Sequence, residues 1–299
     1  MSAITQSKTA HPLRADLLLV LVTMLAGTGW VFSREAVSGF QPLTFMSLRF
    51  CTAGVILAAL GWTSLRALNA AQLRAALRVG LLFGIAMLFW ITGLRLTTHL
   101  GVGSFLCSLG LVMVPLVSLV FGDRPGPSAF LALPVALAGL ACLSLDSEFH
   151  LGVAEACFLG SAAMFALMYV LSSHAAARTP ALPLTAIQLL VTGCVTGLAA
   201  AVLEPLALEQ PPAIWGWLLA SILIATCMRF LFQTHAMGQS PPSHSAIIMN
   251  LEPVWTALLA ALWFGERMTL LQLCGCGLIF SALLVNRWPM LRKWLRSLA

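Results

Sequence analysis

The chain has 299 residues, of which 60% are hydrophobic and 9% are charged, and its formal net charge is +6. A soluble domain carries about 25% charged residues, so this composition excludes an ordinary soluble enzyme or binding domain. The positive charge does not indicate nucleic acid, because its placement along the chain follows the rule for membrane topology.

Long apolar runs without charges recur along the whole chain. Each is about 20 residues long, enough to cross ~30 Å of hydrocarbon as a helix. Continuous apolar runs, rather than alternation, favour helices over a barrel. The first run is expected to stay in the mature protein, because it is too long for the apolar region of a cleaved signal. Ten spans are predicted near 16–34, 43–62, 76–95, 99–121, 127–145, 152–173, 182–203, 213–233, 243–264 and 269–287.

Basic residues indicate the orientation of these spans. With the N-terminus in the cytoplasm, eleven of the 16 Lys and Arg residues fall in cytoplasmic segments and three in outer segments. Arg49 and Arg229 fall within spans. This is the distribution that the positive-inside rule requires, so both termini are predicted to be cytoplasmic. We expect a multi-pass protein of a bacterial inner (plasma) membrane.

Several short segments occur twice, in the same order and at nearly constant spacing. The repeat comprises 121–124 with 264–267, 104–113 with 246–255, 42–44 with 183–185, and 30–33 with 169–172, at offsets between 139 and 143. Ten spans in two halves give five spans per half. Because five is odd, the second half enters the membrane from the opposite side, and the repeat is predicted to be inverted.

The predicted fold is therefore an all-α integral membrane protein of ten transmembrane helices, arranged as two inverted five-helix repeats. The predicted parts are a cytoplasmic N-terminal tail, a first repeat, a second repeat and a basic cytoplasmic C-terminal tail, at 1–15, 16–147, 148–287 and 288–299.

Three short motifs, taken with the ten spans, resemble a known family. They are Phe-Gly-Asp/Glu-Arg at the ends of spans 4 and 9, Leu251-Glu252-Pro253 in span 9, and Leu48-Arg49-Phe50 in span 2. The pattern is similar to that of the drug/metabolite transporter superfamily, EamA type. Departures are Asp123, where the family more often has Glu, and Gly110-Leu111, where the second half has Glu252-Pro253. The resemblance implies a secondary transporter or exporter of small organic metabolites, often amino acids. It also implies a cavity between the halves lined by spans 1, 3, 4, 6, 8 and 9, with spans 5 and 10 outside it.

Two charged residues within the spans could take part in transport. Arg49 could bind a substrate carboxylate, or it could be a structural clamp on carbonyls or a helix end. Glu252 is the only acid predicted within the hydrocarbon, and it could carry a proton during transport. Alternatively, Glu252 could cap a neighbouring helix or bond a tryptophan. A direct pair of Arg49 with Glu252 is not favoured, because they are about 10 Å apart in depth. Arg229 is expected to extend toward the cytoplasmic interface.

Aromatic and polar residues complete the candidate site. Trp30 and Trp90 lie near the outer ends of their spans and could belong either to an interfacial belt or to the cavity. Tyr169, the single tyrosine, matches Trp30 in the repeat. Asn250 is placed roughly 200° from Glu252 on a continuous helix, so that both cannot face the cavity centre. The candidate substrate-binding or cavity residues are Trp30, Arg49, Trp90, Ser104, Tyr169 and Asn250, with Glu252 as the candidate coupling residue.

No nucleotide-binding, nucleophile or metal motif is visible in the sequence, so we expect no cofactor, no metal site and no enzyme activity. The expected partners are a small-molecule substrate and the lipid bilayer, with proton coupling open and no nucleic acid. Gly80-x-x-x-Gly84 and Gly193-x-x-x-Gly197 indicate close helix packing and leave a monomer or a weak homodimer open. The alternative functions are a channel-like facilitator or lipid flippase and, less favoured, an intramembrane enzyme.

The orientation can be tested by cysteine labelling. In a background free of reactive cysteines, Ser147→Cys should react with a membrane-impermeant reagent added from outside, whereas Ser297→Cys should be protected. Protection of position 147 together with labelling of position 297 would contradict the predicted topology.

Overall fold

The computed structural model describes residues 12–96, 100–144, 152–205, 207–265 and 269–298, and these residues form helices and connecting turns. A π-helical segment, Leu223–Met228, lies between α9 and α10. The α-helices are α1 (Pro12–Ala36), α2 (Pro42–Leu60), α3 (Trp62–Arg66), α4 (Ala70–Leu96), α5 (Leu100–Val120), α6 (Pro127–Ser144), α7 (Val153–Ala176), α8 (Ala181–Leu203), α9 (Pro212–Ile222), α10 (Arg229–Met237), α11 (Pro242–Met249), α12 (Glu252–Phe264) and α13 (Leu270–Leu298).

The predicted class of the protein, a helical membrane protein, is confirmed. Within the described residues, seven helical stretches are long and apolar enough to cross a membrane. Three shorter apolar helices coincide with predicted spans 4, 5 and 10: Leu106–Val120, Pro127–Cys142 and Leu270–Asn286. The count of ten spans stays a prediction. Helix α13 continues through Leu298 and so includes most of the predicted tail 288–299, whose cytoplasmic position stays a prediction.

Spans 8 and 9 are interrupted at mid-length, although the sequence predicted continuous helices. In span 9, α11 ends at Met249 and α12 begins at Glu252 with Pro253 in its first turn. Proline has no N–H group, so the carbonyl of Met249 cannot receive the regular helical hydrogen bond from position 253. In span 8 the π-helical segment widens the backbone, a feature that is frequent at functional sites.

Helices α2 and α8 pack closely along their lengths. A Cβ atom on Gly193 would lie 2.5 Å from Sγ of Cys51, so the two backbones approach too closely for a side chain at that position. Gly80 and Gly84 face α8 in the same way. Both small-residue motifs are therefore used within the chain, and neither supplies a free surface for a homodimer.

A carboxylate from the end of α8 caps the start of α2. Glu204 accepts hydrogen bonds from the backbone N–H groups of Leu43 and Thr44, at 2.9 and 2.8 Å, and from the Thr44 hydroxyl at 3.0 Å. A negative charge stabilises a helix N-terminus because it satisfies free N–H groups and complements the helix dipole.

Corresponding helices of the two halves pack in corresponding pairs. The α2–α8 and α6–α13 contacts each join a helix to its counterpart in the other half. Helices α4 and α5 of the first half both pack on α7, which belongs to the second half. Helices α9, α10 and α12 of the second half all pack on α1, which is the first-half counterpart of α7.

The repeated Phe-Gly motif has the same backbone conformation in both halves. Gly122 follows α5 with φ of 84°, and Gly265 follows α12 with φ of 68°. These are the positive φ angles of the described residues. Such a left-handed residue ends a helix, and glycine adopts it without the steric cost of a Cβ atom. The sequence repeat therefore marks two equivalent helix ends.

Replacing either glycine by alanine should destabilise the protein, because a left-handed backbone costs an L-residue about 1–2 kcal/mol. Gly122→Ala and Gly265→Ala should each lower the melting temperature of the purified protein in detergent. Gly216→Ala is the matched control, since Gly216 also has open space around it, within α9 and without a positive φ. Its melting temperature should stay the same or rise, and an equal loss for all three variants would contradict this explanation.

Candidate functional site

An ion pair connects the interrupted parts of spans 8 and 9. Nη2 of Arg229 lies 3.1 Å from Oε2 of Glu252, and the two side chains are 17% and 21% exposed. Arg229 is the first residue after the π-helical segment, and Glu252 is the first residue after the break in span 9. Arg229 therefore does not extend to the interface as expected, and Glu252, the only acid predicted within the hydrocarbon, has a cationic partner. The reason is that the two residues are 23 positions apart and meet only when the two spans pack together.

Trp30 binds the second oxygen of the same carboxylate. Its Nε1 donates to Oε1 of Glu252 at 3.2 Å, and the edge of its ring packs on Trp90 with centroids 6.3 Å apart. Trp30 is 45% exposed in the protein. The predicted bond of Glu252 to a tryptophan is therefore present, and the two tryptophans lie beside the carboxylate rather than isolated in an interfacial belt.

Arg49 is held by hydroxyl groups and not by an acid. Its Nε donates to Oγ1 of Thr226 at 2.6 Å, and its Nη1 donates to Oγ of Ser33 at 3.0 Å. Each hydroxyl in turn donates to a backbone carbonyl, that of Ser221 or Gly29 respectively. Both hydroxyl oxygens therefore present lone pairs to the guanidinium. Within the described part of the chain, no carboxylate lies within ion-pair distance of Arg49.

The electrostatic consequence is an uncompensated cation within a membrane span. An arginine at the centre of a transmembrane helix costs at least ~2.5–3.5 kcal/mol on insertion scales. Neutral hydroxyls satisfy some of its donors, but they supply no negative charge. Arg229 and Glu252 are both close enough to Arg49 to interact with it electrostatically.

The remaining candidates differ in position. Asn250 lies at the break between α11 and α12, is 1% exposed, and has no hydrogen-bond partner on either amide atom. Because the helix is interrupted there, the angular separation expected for a continuous helix does not apply. Tyr169 is 3% exposed with an unpartnered hydroxyl, and it lies within a packed cluster rather than at an opening. The side chain of Ser104 lies outside the described residues. A binding role for these residues stays a prediction.

Trp30, Arg49, Arg229 and Glu252 form a cluster, and the helices around it pack closely together at one end. Leu19, Val114, Ala166 and Ala246 are fully buried together, although they come from α1, α5, α7 and α11. In the same region the hydroxyls of Ser118 and Ser243 meet at 3.1 Å. A buried floor therefore lies below the Arg229–Glu252 pair, at the end where α5 finishes and α11 starts.

At the other end, α12 packs on α1, whereas α5 and α7 pack on α11 within the described residues. No residue of α12 is buried. Trp30, Arg229 and Glu252 therefore meet where α1, α10 and α12 come together.

Sequence reasoning missed two histidine contacts at the closed end. Nε2 of His244 lies 3.0 Å from Oδ1 of Asp16. Nδ1 of the same histidine lies 2.9 Å from the side-chain amide nitrogen of Asn286. His174 contacts both carboxylate oxygens of Asp123, at 2.9 and 3.2 Å. Each contact joins residues at least 42 positions apart, so no local spacing in the sequence could have indicated it.

Charged side chains that pair within apolar spans are characteristic of functional sites in helical membrane proteins. The family model described as the EamA-like transporter family matches residues 13–145 and again residues 153–288. The chain therefore belongs to the EamA-like transporter family, within the drug/metabolite transporter superfamily, and the predicted resemblance is confirmed.

Two curated relatives from Archaeoglobus fulgidus are each described as an uncharacterized transporter. One is 26% identical over 269 residues, covering 89% of this chain and 94% of the relative. The other is 24% identical over 276 residues, covering 91% of this chain and 85% of the relative. A solved crystal structure matches with a TM-score of 0.81 at 19% identity, over 94% of this chain and 99% of that chain. At this identity, the structural match shows the fold alone.

Proposed function

We propose that the chain is a secondary transporter, working as an exporter, for small organic metabolites, including amino acids and related amphipathic or aromatic solutes. The observation that carries this proposal is the polar and aromatic cluster of Trp30, Arg49, Trp90 and Glu252 within the spans, beside helices that are packed closed at one end. A site reached from one side at a time is what alternating access requires. No cofactor is needed, since a solute or ion gradient would drive the process.

The proposed architecture is ten spans in two inverted repeats, with both termini cytoplasmic in a bacterial inner membrane. Three observations support it: the family model matches each half once, equivalent helices pack in equivalent pairs, and both Phe-Gly motifs end their helices with a positive φ. The aromatic contacts at the two helix ends also correspond. Phe121 packs on His174, and Phe264 packs on Arg34.

With that orientation, the closed end faces the cytoplasm, and in this proposal the solute reaches the cluster from outside. Opening to the cytoplasm would require α5 and α11 to separate, which breaks the contact of Ser118 with Ser243. Closure of the outer end would bring α12 toward α5 and α7. Because the two ends are built from equivalent helices, the same kind of helix movement can open either end.

A cross-link across the closed end tests alternating access. In a cysteine-light background, Ser118→Cys with Ser243→Cys should form a disulfide on mild oxidation, because the native hydroxyls are 3.1 Å apart. The cross-link should stop counterflow of labelled amino acids and aromatic metabolites in proteoliposomes, and a reductant should restore it. Each single cysteine variant, oxidised identically, is the control. Undiminished counterflow in the cross-linked protein would contradict the proposal, and flux without counterflow or saturation would indicate a channel-like facilitator.

We further propose Glu252 as the residue that couples transport to a proton gradient. Protonation of Glu252 would remove the negative charge that pairs with Arg229. The neutral side chain of Glu252 would keep its contact with Trp30. Glu252→Gln keeps the shape but does not titrate, so it should abolish accumulation driven by a pH gradient while leaving exchange at equal pH largely intact. Accumulation equal to wild type would show that Glu252 is structural. Loss of both activities together with thermal stability would make it a packing residue.

A further inference from the structure

The charges at mid-depth do not balance. Three charged side chains lie in the middle parts of the described spans: Arg49, Arg229 and Glu252. Glu252 pairs with Arg229, so the cluster keeps a net charge of one positive. Arg49 carries that charge, and its observed partners are all neutral: the hydroxyls of Thr226 and Ser33, and the rings of Phe45 and Phe50 at 5.8 and 5.2 Å from its guanidinium carbon.

The acid of the cluster already has a cation as its partner. Oε2 of Glu252 accepts from Arg229, and Oε1 accepts from Trp30. An ammonium group entering the site would therefore meet two guanidinium groups and a single carboxylate that is already paired with one of them. Like charges brought together in a region of low dielectric constant repel strongly, which disfavours a cationic solute or the amino end of a zwitterion.

A carboxylate has the complementary properties. Hydrogen bonds from Nε and Nη1 of Arg49 leave the Nη2 nitrogen of this half-buried side chain without a bond to the described residues. A guanidinium binds a carboxylate by short, charge-assisted hydrogen bonds. Binding one monoanion would cancel the excess charge of the cluster, which lowers the cost of keeping it within the membrane.

Other groups nearby are suited to an uncharged remainder of the solute. The rings of Trp30 and Trp90 meet edge to face beside the carboxylate, and Trp30 is 45% exposed. Both amide atoms of Asn250, two residues before Glu252, are buried without partners. Buried amides are normally hydrogen-bonded, so an unpartnered one indicates a missing ligand or water.

We propose that the site takes a monoanionic organic carboxylate, bound by Arg49, in preference to a zwitterion or a cation of the same size. This assignment rests on the proposed transport function and narrows its substrate class. It implies that the loaded site is neutral at mid-depth, whereas the empty site carries one positive charge.

Three solutes with the same ring and chain length test the proposal: 3-phenylpropionate (an anion), phenylalanine (a zwitterion) and phenethylamine (a cation). Equilibrium binding of each to the purified wild-type protein should show 3-phenylpropionate bound at least 10-fold more tightly than the others. Arg49→Gln should weaken that binding at least 10-fold, and Arg49→Lys should keep the preference for the anion at lower affinity. Arg66→Gln is the matched control, because Arg66 also lies over an aromatic ring, that of Trp62, but at a helix end. Its binding should equal that of wild type.

Comparison of the three solutes on wild-type protein needs no variant to fold. Phenylalanine or phenethylamine bound as tightly as 3-phenylpropionate would overturn the proposed anion site, and so would the absence of binding by all three. Counterflow of a wider set of labelled amino acids, organic acids and amines distinguishes a failure of the anion site from a failure of the proposed transport function. Counterflow of an amine or a zwitterion alone would leave transport intact and refute the anion site, whereas no counterflow of any solute would refute transport itself.

Discussion

Charged groups can remain inside a membrane span only where other groups replace the water they have lost, and that constraint explains the centre of this molecule. Arg229 and Glu252 neutralise each other across spans 8 and 9. Arg49 is bound by two hydroxyls whose own protons are taken by backbone carbonyls. These contacts are possible because both spans are interrupted at that depth, one by a π-helical segment and the other by Pro253.

The same interruptions connect the site with the helices that would move. α11 belongs to the closed floor, where Ser243 meets Ser118, whereas α12 packs on α1. Glu252 begins α12 and binds both Arg229 and Trp30. A change in the charge of Glu252 therefore acts directly on the junction between the two parts of span 9.

The two halves use equivalent backbone parts with different side chains. Both Phe-Gly motifs end a helix with a left-handed glycine. The contact at one end is Phe121 with His174, and at the other it is Phe264 with Arg34. Likewise, Glu252-Pro253 in span 9 corresponds to Gly110-Leu111 in span 4, so only the second half carries the acid and the proline. The helical framework is repeated, while the polar site is asymmetric.

The sequence by itself determined the membrane class, the approximate helices, the family and the presence of two similar halves. These properties depend on local composition and on order along the chain, since each span must satisfy its own backbone hydrogen bonds in lipid. Tertiary structure alone decided the partners: Arg229 for Glu252 rather than the interface, hydroxyls for Arg49, and helices of the same chain for both glycine motifs. Such contacts join residues far apart in sequence, and the depth and rotation of each helix, which packing sets, determine which side chains meet.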